Sequence, residues 1–497
     1  MGKFHSYSHR QEDKEVIMKK ILCATLCLVL LLGALVSCNV GSKDPENSES
    51  QSGNNDVEET VTDTETQTTR KEIELEDFSQ GGVARDFTMY VRGGRYHYLW
   101  VEKDSTDKVE SGTYKRNQRV QEDFGINIKI KACNGDTKTD DWVTALSTGS
   151  DYDLGVPDYW WLLEQQGLFL NLYARDELAF NQDYWYSQWN DNVTINNKLY
   201  TVAGDASLEV LENIEIVFFN ADMIETLGID MYKLVDEKKW TIDKMMEIGK
   251  NFTDVNTQSY GAVYDVHSLR SQLFSAGLRL TEIKENGTIE LIAQSRALNL
   301  DIQAKVKELI HDETTKYYGS GSTARSDMAG KAKMLKDEKA AFYATCMYAG
   351  KTVKNTGVNY GVIPMPMYEE GGEYISTSYG VSTFAIPKTA SDYHFSAVVL
   401  DALNYYSWNT VVTNFFDTAM KAQVADSPDD ARMMDIARDS LYFDFAWMLD
   451  QGGTMNVFAA YQSATGDPSK ELSSQLTTAM QTSITGLADI IAFYNQE

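Results

Sequence analysis

The chain has 497 residues, enough for roughly two to four domains at ~150 residues each. Hydrophobic residues make up 43% and charged residues 24%, a globular balance that excludes a wholly disordered chain, a collagen and a polytopic membrane protein. With 45 basic against 73 acidic residues the formal charge is −28, which repels nucleic-acid phosphates and disfavours a strongly anionic ligand.

Residues 1–17 are polar, fit no targeting pattern and read as an extension from an upstream start. Met18-Lys19-Lys20 opens a better start, and an uncharged, mostly apolar run follows from Ile21 to Val36. The run is shorter than the ~20 residues of a transmembrane helix and suits the apolar region of a signal peptide. It ends in Leu35-Val36-Ser37-Cys38, which resembles the lipobox of bacterial lipoproteins. The resemblance implies cleavage before Cys38, lipid on its thiol, and a protein anchored to the outer face of the cell membrane. Cys23 and Cys27 leave with the leader. Cys133 and Cys346 are too far apart for a disulfide framework and are expected to be buried thiols.

Residues 39–77 are rich in Ser, Thr, Asn, Asp and Glu, with no aromatic before Phe78. Such a stretch buries too little apolar surface to offset its ordering entropy. A disordered acidic tether is expected over 38–84, with folded sequence starting near Val83. Asp86–Val91 alternates like a strand, a helix covers Lys115–Asp123, and Gly125–Lys131 alternates again. Asp141–Leu146 reads as a short helix and Tyr152–Val156 as a buried strand. Strands alternating with helices predict an α/β fold with parallel βαβ units, whose ligands sit beyond the carboxyl ends of the strands.

Several further segments follow in a familiar order: Phe124-Gly125-Ile126-Asn127-Ile128-Lys129, Leu146–Ser150, Tyr152-Asp153-Leu154 and Gly167–Leu172. Asn197–Val202, Ile216–Asn220, Trp240-Thr241-Ile242-Asp243-Lys244, Lys336–Tyr343, Val358–Pro366 and Ser378–Pro387 continue the series. Together they resemble extracellular solute-binding protein family 1 over roughly residues 86–400. The resemblance implies a type II periplasmic-binding-protein-like fold of two lobes, each a mostly parallel sheet flanked by helices, with the ligand in a cleft between them. The implied organisation is a leader over 1–37, the tether over 38–84, lobe 1 over 85–205 and 376–425, and lobe 2 over 206–375 and 426–497. Thr241 is the expected N-cap of its helix. The stretch from Trp408 onward looks helical.

Catalytic signatures are missing. Gly350-Lys351-Thr352 ends like a P-loop, but Thr345 stands where the cradle needs glycine. There is no G-x-S-x-G and no H-E-x-x-H. His97, His267, His311 and His394 show no metal spacing, and Asp136, Asp140 and Asp141 lack the EF-hand pattern, so no cofactor or metal is expected.

Sugars present apolar faces, which flat aromatics cover, and hydroxyls, which carboxylates, amides and Arg bond. Residues 158–189 are the most aromatic stretch. Asp158, Tyr159 and Trp160 follow a strand end and match the family's cleft position. Trp185 and Trp189 read as core. The family also places polar contacts after the first strand, here Arg92, Arg95 and Tyr96, and around Asp205 after the first crossover. Tyr348 lies where the family has a stacking aromatic, with Met347 at the nearer aligned position, and Tyr379 lines the last crossover. Core packing is the expected role of Tyr442, Asp444 and Trp447. The expectation is a monomeric, non-enzymatic binding lipoprotein that delivers a carbohydrate, in particular an oligosaccharide, to the permease subunits of an ABC importer. A surface glycan hydrolase using Asp158 and Asp205, or a ligand-sensing subunit of a membrane signalling system, is the alternative.

Overall fold

A computed structural model describes residues 72–91, 99–132, 144–146, 148, 152–157, 166–284, 287–319, 327–378, 380–408, 420–450 and 455–495. The first strand, β1 (Arg85–Val91), buries Phe87, Met89 and Val91. Helix α1 (Lys108–Phe124) starts where the Asp107 carboxylate accepts from the backbone N–H groups of Val109 and Glu110, at 2.9 and 3.1 Å. It stops at Gly125, whose φ of 63° suits a residue without Cβ. Gly125, expected as the first residue of the second strand, is therefore the helix cap. Strand β2 (Ile126–Ala132) runs parallel to β1 on one side, and β3 (Leu154–Val156) parallel on the other. The parallel βαβ reading holds here.

Strand β4 (Glu215–Asn220) is buried along its whole length. Helix α2 (Ile242–Lys250) begins at Thr241, whose hydroxyl accepts from Lys244 N–H at 3.2 Å. Just before it, Trp240 is fully buried and its indole N–H donates to the Pro364 carbonyl at 2.9 Å. Burying ~200 Å² of Trp at ~25 cal/mol/Å² is worth at most about 5 kcal/mol. β5 (Tyr260–Asp265) leads into α3 (Val266–Ser275), followed by the hairpin β6 (Thr281–Ile283) and β7 (Ile289–Leu291). α4 (Leu298–His311), β8 (Thr315–Tyr318), α5 (Met328–Lys336), β9 (Ala340–Cys346) and β10 (Tyr360–Pro364) complete the middle of the chain. The sheet order is β10-β4-β9-β5-β8. β9, β5 and β8 are mutually parallel, while β4 is antiparallel to both of its neighbours, so this second sheet is mixed. The chain is thus an α/β protein with one parallel and one mixed sheet, flanked by helices.

Helix α6 (Tyr393–Tyr406) packs on α1, and α7 (Pro428–Asp439) packs on β10 and β4. α8 (Phe445–Asp450), α9 (Val457–Gly466) and the long α10 (Leu472–Asn495) follow. α10 lies along α9, but its last turn reaches the segment before β4. Tyr494 stacks edge-on against Tyr200 at 5.1 Å, and its hydroxyl donates to the Val193 carbonyl at 3.4 Å.

Two segments run side by side between the two sheets, and a third, following α7, pairs with one of them. Val202 bridges Phe384, Ile214 bridges Ser378, and Ser376 bridges Leu441. Hydroxyls reinforce these contacts: Ser378 Oγ donates to the Val210 carbonyl at 2.8 Å, and Ser440 Oγ donates to Ser376 Oγ at 3.1 Å. Ser382 bonds the Glu209 carboxylate.

Order begins before Val83, earlier than the tether reading expects. Phe78 N–H donates to the Phe124 carbonyl at 2.9 Å, and the Phe78 ring meets Phe395 edge-on at 4.8 Å. The Phe78 ring gives this otherwise acidic segment an apolar contact with the core. Cys346 is a buried thiol, as expected. Cys133 and Cys38 lie outside the described residues, and among those described no helix is long and apolar enough to cross a membrane.

Candidate functional site

The parallel part of the second sheet brings three strand ends together. β5 ends in Asp265, which is in register with Tyr318 at the end of β8. β9, on the other side of β5, ends in Cys346 and turns through Met347–Ala349. In this turn Tyr348 is 58% exposed, whereas Met347 and Ala349 are buried. Of Met347 and Tyr348, the latter is the residue that offers a ring to solvent. Met347 N–H donates to the Ile214 carbonyl at 2.9 Å, so the turn leans on the first crossover segment.

Asp265 divides its work between two oxygens. Oδ1 caps α3, accepting from the N–H groups of His267 and Ser268 at 2.9 and 3.2 Å. Oδ2 accepts from Lys331 Nζ at 2.8 Å. The pair is buried, with side-chain exposures of 1% for Lys331 and 3% for Asp265. Lys331 Nζ also lies 5.3 Å from the centre of the Tyr318 ring. Burial pushes the Tyr317 phenol up to about 12, and the Asp265 charge adds to that. His267, half-buried, starts α3 at this edge. Asp265, His267, Lys331 and Tyr318 therefore form a polar and aromatic group at the carboxyl ends of β5 and β8, where α/β proteins bind ligands, and Tyr348 follows the end of the neighbouring strand β9. The sequence signal for Asp265 was its place as a helix cap. Nothing in the sequence links it to Lys331.

Asp205 is placed differently from a ligand contact on an open surface. It is 3% exposed, its N–H donates to the Tyr184 carbonyl at 2.9 Å, and its carboxylate faces Tyr186. Burial first, and Asp205 second, push the Tyr186 phenol well above its ordinary value, while Arg438 works the other way. Arg92, Arg95, Tyr96, Asp158, Tyr159, Trp160 and Tyr379 lie outside the described residues. The chain after residues 92–98 is held at Leu99. Fully buried Arg116 on α1 donates to the Leu99 carbonyl at 2.7 Å and to Ser407 Oγ at 3.0 Å, and Asn117 donates to the same carbonyl at 2.8 Å. Burial lowers the Arg116 guanidinium to about 9.

The residues read as core are core. Trp189 is fully buried against Phe443, and Trp185 donates its indole N–H to Asp401 at 3.3 Å. Asp444, with no exposed surface, accepts from the N–H of Leu280 at 2.8 Å, the Tyr442 hydroxyl at 3.0 Å and the N–H of Ala446 at 2.9 Å. Burial raises its pKa. The Arg279 guanidinium covers the Tyr442 ring at 3.7 Å, and Trp447 packs on Phe274 at 5.2 Å. Among the described residues no group of three or more His, Cys, Asp or Glu is arranged to hold a metal ion. In comparison with known proteins, the chain matches no protein-family model and no curated protein sequence.

Proposed function

We propose that the chain is a two-lobed solute-binding protein, one lobe built on each sheet, which captures a carbohydrate in the cleft between them. In this reading Cys38 carries a lipid on the outer face of a bacterial membrane, and the protein hands an oligosaccharide to an ABC importer. The observation that carries the reading is the pair of short connections between the two sheets, near residues 202–214 and 376–384, which run side by side. Short, adjacent connections allow two bodies to close as a hinge on a ligand. The exposed Tyr348 ring supports a ring-bearing ligand, because it supplies a flat apolar face at the carboxyl end of β9. The reading keeps Arg92, Arg95, Tyr96, Asp158, Tyr159, Trp160 and Tyr379 as the ligand contacts to be tested by substitution.

The test is a thermal-shift and calorimetric screen of the chain without residues 1–38 against mono- and oligosaccharides, amino acids and peptides. A ligand at ~100 times its dissociation constant adds ~2.7 kcal/mol to stability. Stabilisation by one oligosaccharide class, lost in Trp160→Ala, is the expected result. Silence across sugars with a response to peptides overturns the carbohydrate assignment.

A further inference from the structure

The end of the acidic segment lies against a groove formed by residues 175–184 and α6. Phe78 is its apolar anchor, on Phe395 at 4.8 Å and His394 at 6.1 Å. Two residues earlier, Glu76 Oε2 lies 2.8 Å from His394 Nε2. The other ring nitrogen, Nδ1, lies 3.0 Å from Glu177 Oε1, which also accepts from Arg175 at 2.6 Å. An ionised carboxylate only accepts hydrogen bonds, so satisfying both contacts requires a hydrogen on each nitrogen. Only the imidazolium has both. A neutral ring leaves one carboxylate facing a nitrogen lone pair.

The surrounding charges favour the cation. Glu72, Glu74 and Glu76 come from the segment, Asp176 and Glu177 from the loop, and Asp401 from α6, all lining one cavity with His394. Asp392, the cap of α6, is held by Arg85 at 2.9 Å, and Arg175 is engaged by Glu177. The cavity of about 530 Å³ leaves room for solvent to exchange the proton.

We propose that His394 is a pH-operated latch, which as an imidazolium pins residues 72–77 to the fold and on deprotonation lets them go, while Phe78 stays on its anchor. Release frees a segment whose extended reach is roughly 20 Å at ~3.4 Å per residue. Hydrogen bonding to Glu76, then to Glu177, raises the His394 pKa against a smaller opposing effect of burial. Docking is therefore complete below the free imidazole value of ~6.5 and is lost as pH rises through the raised value.

The test is digestion of the full-length protein with a Glu-specific protease at about pH 5.5 and about pH 8.5, either side of the imidazole range. Cleavage after Glu74 is followed by mass spectrometry and divided by the rate for a free peptide of residues 68–82 under the same conditions. Protection falling several-fold between the acid and the basic condition is expected. His394→Gln and Glu76→Gln are expected to be unprotected at both, with melting temperatures showing that each is folded. Glu76→Gln stands alone if His394→Gln does not fold. Equal protection of the unaltered chain at both pH values overturns the latch, as does a pH dependence that survives in either variant.

Discussion

Lys331→Met isolates the energetics of the buried pair at the edge of the second sheet. The substitution keeps the apolar stem and removes the one donor to Asp265 Oδ2, while the cap bonds to Oδ1 stay in place. Removing one partner of a buried pair costs about 3–5 kcal/mol, because the remaining charge has no compensation. The retained cap bonds place Lys331→Met near the lower end, about 3 kcal/mol. Asp265→Asn turns an amide N–H toward the ammonium if the cap is kept, or gives up the cap if it is not, so its cost is of the same order. The double variant keeps the cap and removes the charge clash, and it is expected to recover most of either loss. Urea unfolding of the four proteins of the cycle measures these terms. A Lys331→Met cost under about 1 kcal/mol, or simple addition in the double variant, refutes the reasoning.

Tyr348→Ala is expected to leave stability within about 0.5 kcal/mol, since the ring is mostly in solvent, and to weaken ligand binding roughly tenfold by calorimetry. Gly261→Ala pushes β5 against α2: the new Cβ would meet Gly249 Cα at 2.4 Å, C at 2.9 Å and O at 3.0 Å, all backbone atoms. A loss of about 1–3 kcal/mol in urea unfolding is expected. Acid stability follows two carboxylates near the first sheet. Burial raises the pKa of Glu177 and of Asp392, but bonds from His394 and Arg175 to the first, and from Phe395 N–H and Arg85 to the second, outweigh it and leave both low. Their contribution is complete above the ordinary values of 4.5 and 3.8 and is lost as pH falls through the lowered ones. Arg85→Gln and Glu177→Gln should each flatten this acid limb in pH-dependent unfolding.

Local patterns made much of the fold legible. The alternation in β1 and β2 and the Thr241 cap are encoded within a few residues, and the structure follows them. Where the reading slipped, a local signal was ambiguous. Lys336–Tyr343 looks like one strand, yet Lys336 ends α5 and β9 begins at Ala340. The charged run between them makes the turn, with Glu338 at a φ of 56°. β5 and β8 are short, and neither announces itself by alternation. Phe78 carries no periodicity because it is a single anchor in an acidic stretch. Contacts such as His394 with Glu76, or Lys331 with Asp265, join residues far apart in sequence and have no local trace.

The chemistry of the connections bears on the proposed closure. A junction held by a packed apolar core resists small rotations, because close-packed interiors transmit strain. The connecting segments combine apolar packing with polar ties. Val202, Ile214 and Phe384 are fully buried, and backbone pairs join Val202 with Phe384 and Glu215 with Thr377. Ser hydroxyls add side-chain ties, Ser378 to Val210 and Ser382 to Glu209. A hydroxyl rotates to suit its acceptor, and each such bond contributes only about 1 kcal/mol net. These ties can exchange one acceptor for another at small cost. Replacing Ser378 and Ser382 together by Ala removes the exchangeable bonds without adding bulk at buried Ser378. If closure uses these segments, ligand-induced compaction measured by small-angle scattering should shrink in that variant while the affinity of the Tyr348 wall for a short sugar is retained. Unchanged compaction assigns the motion to another part of the chain.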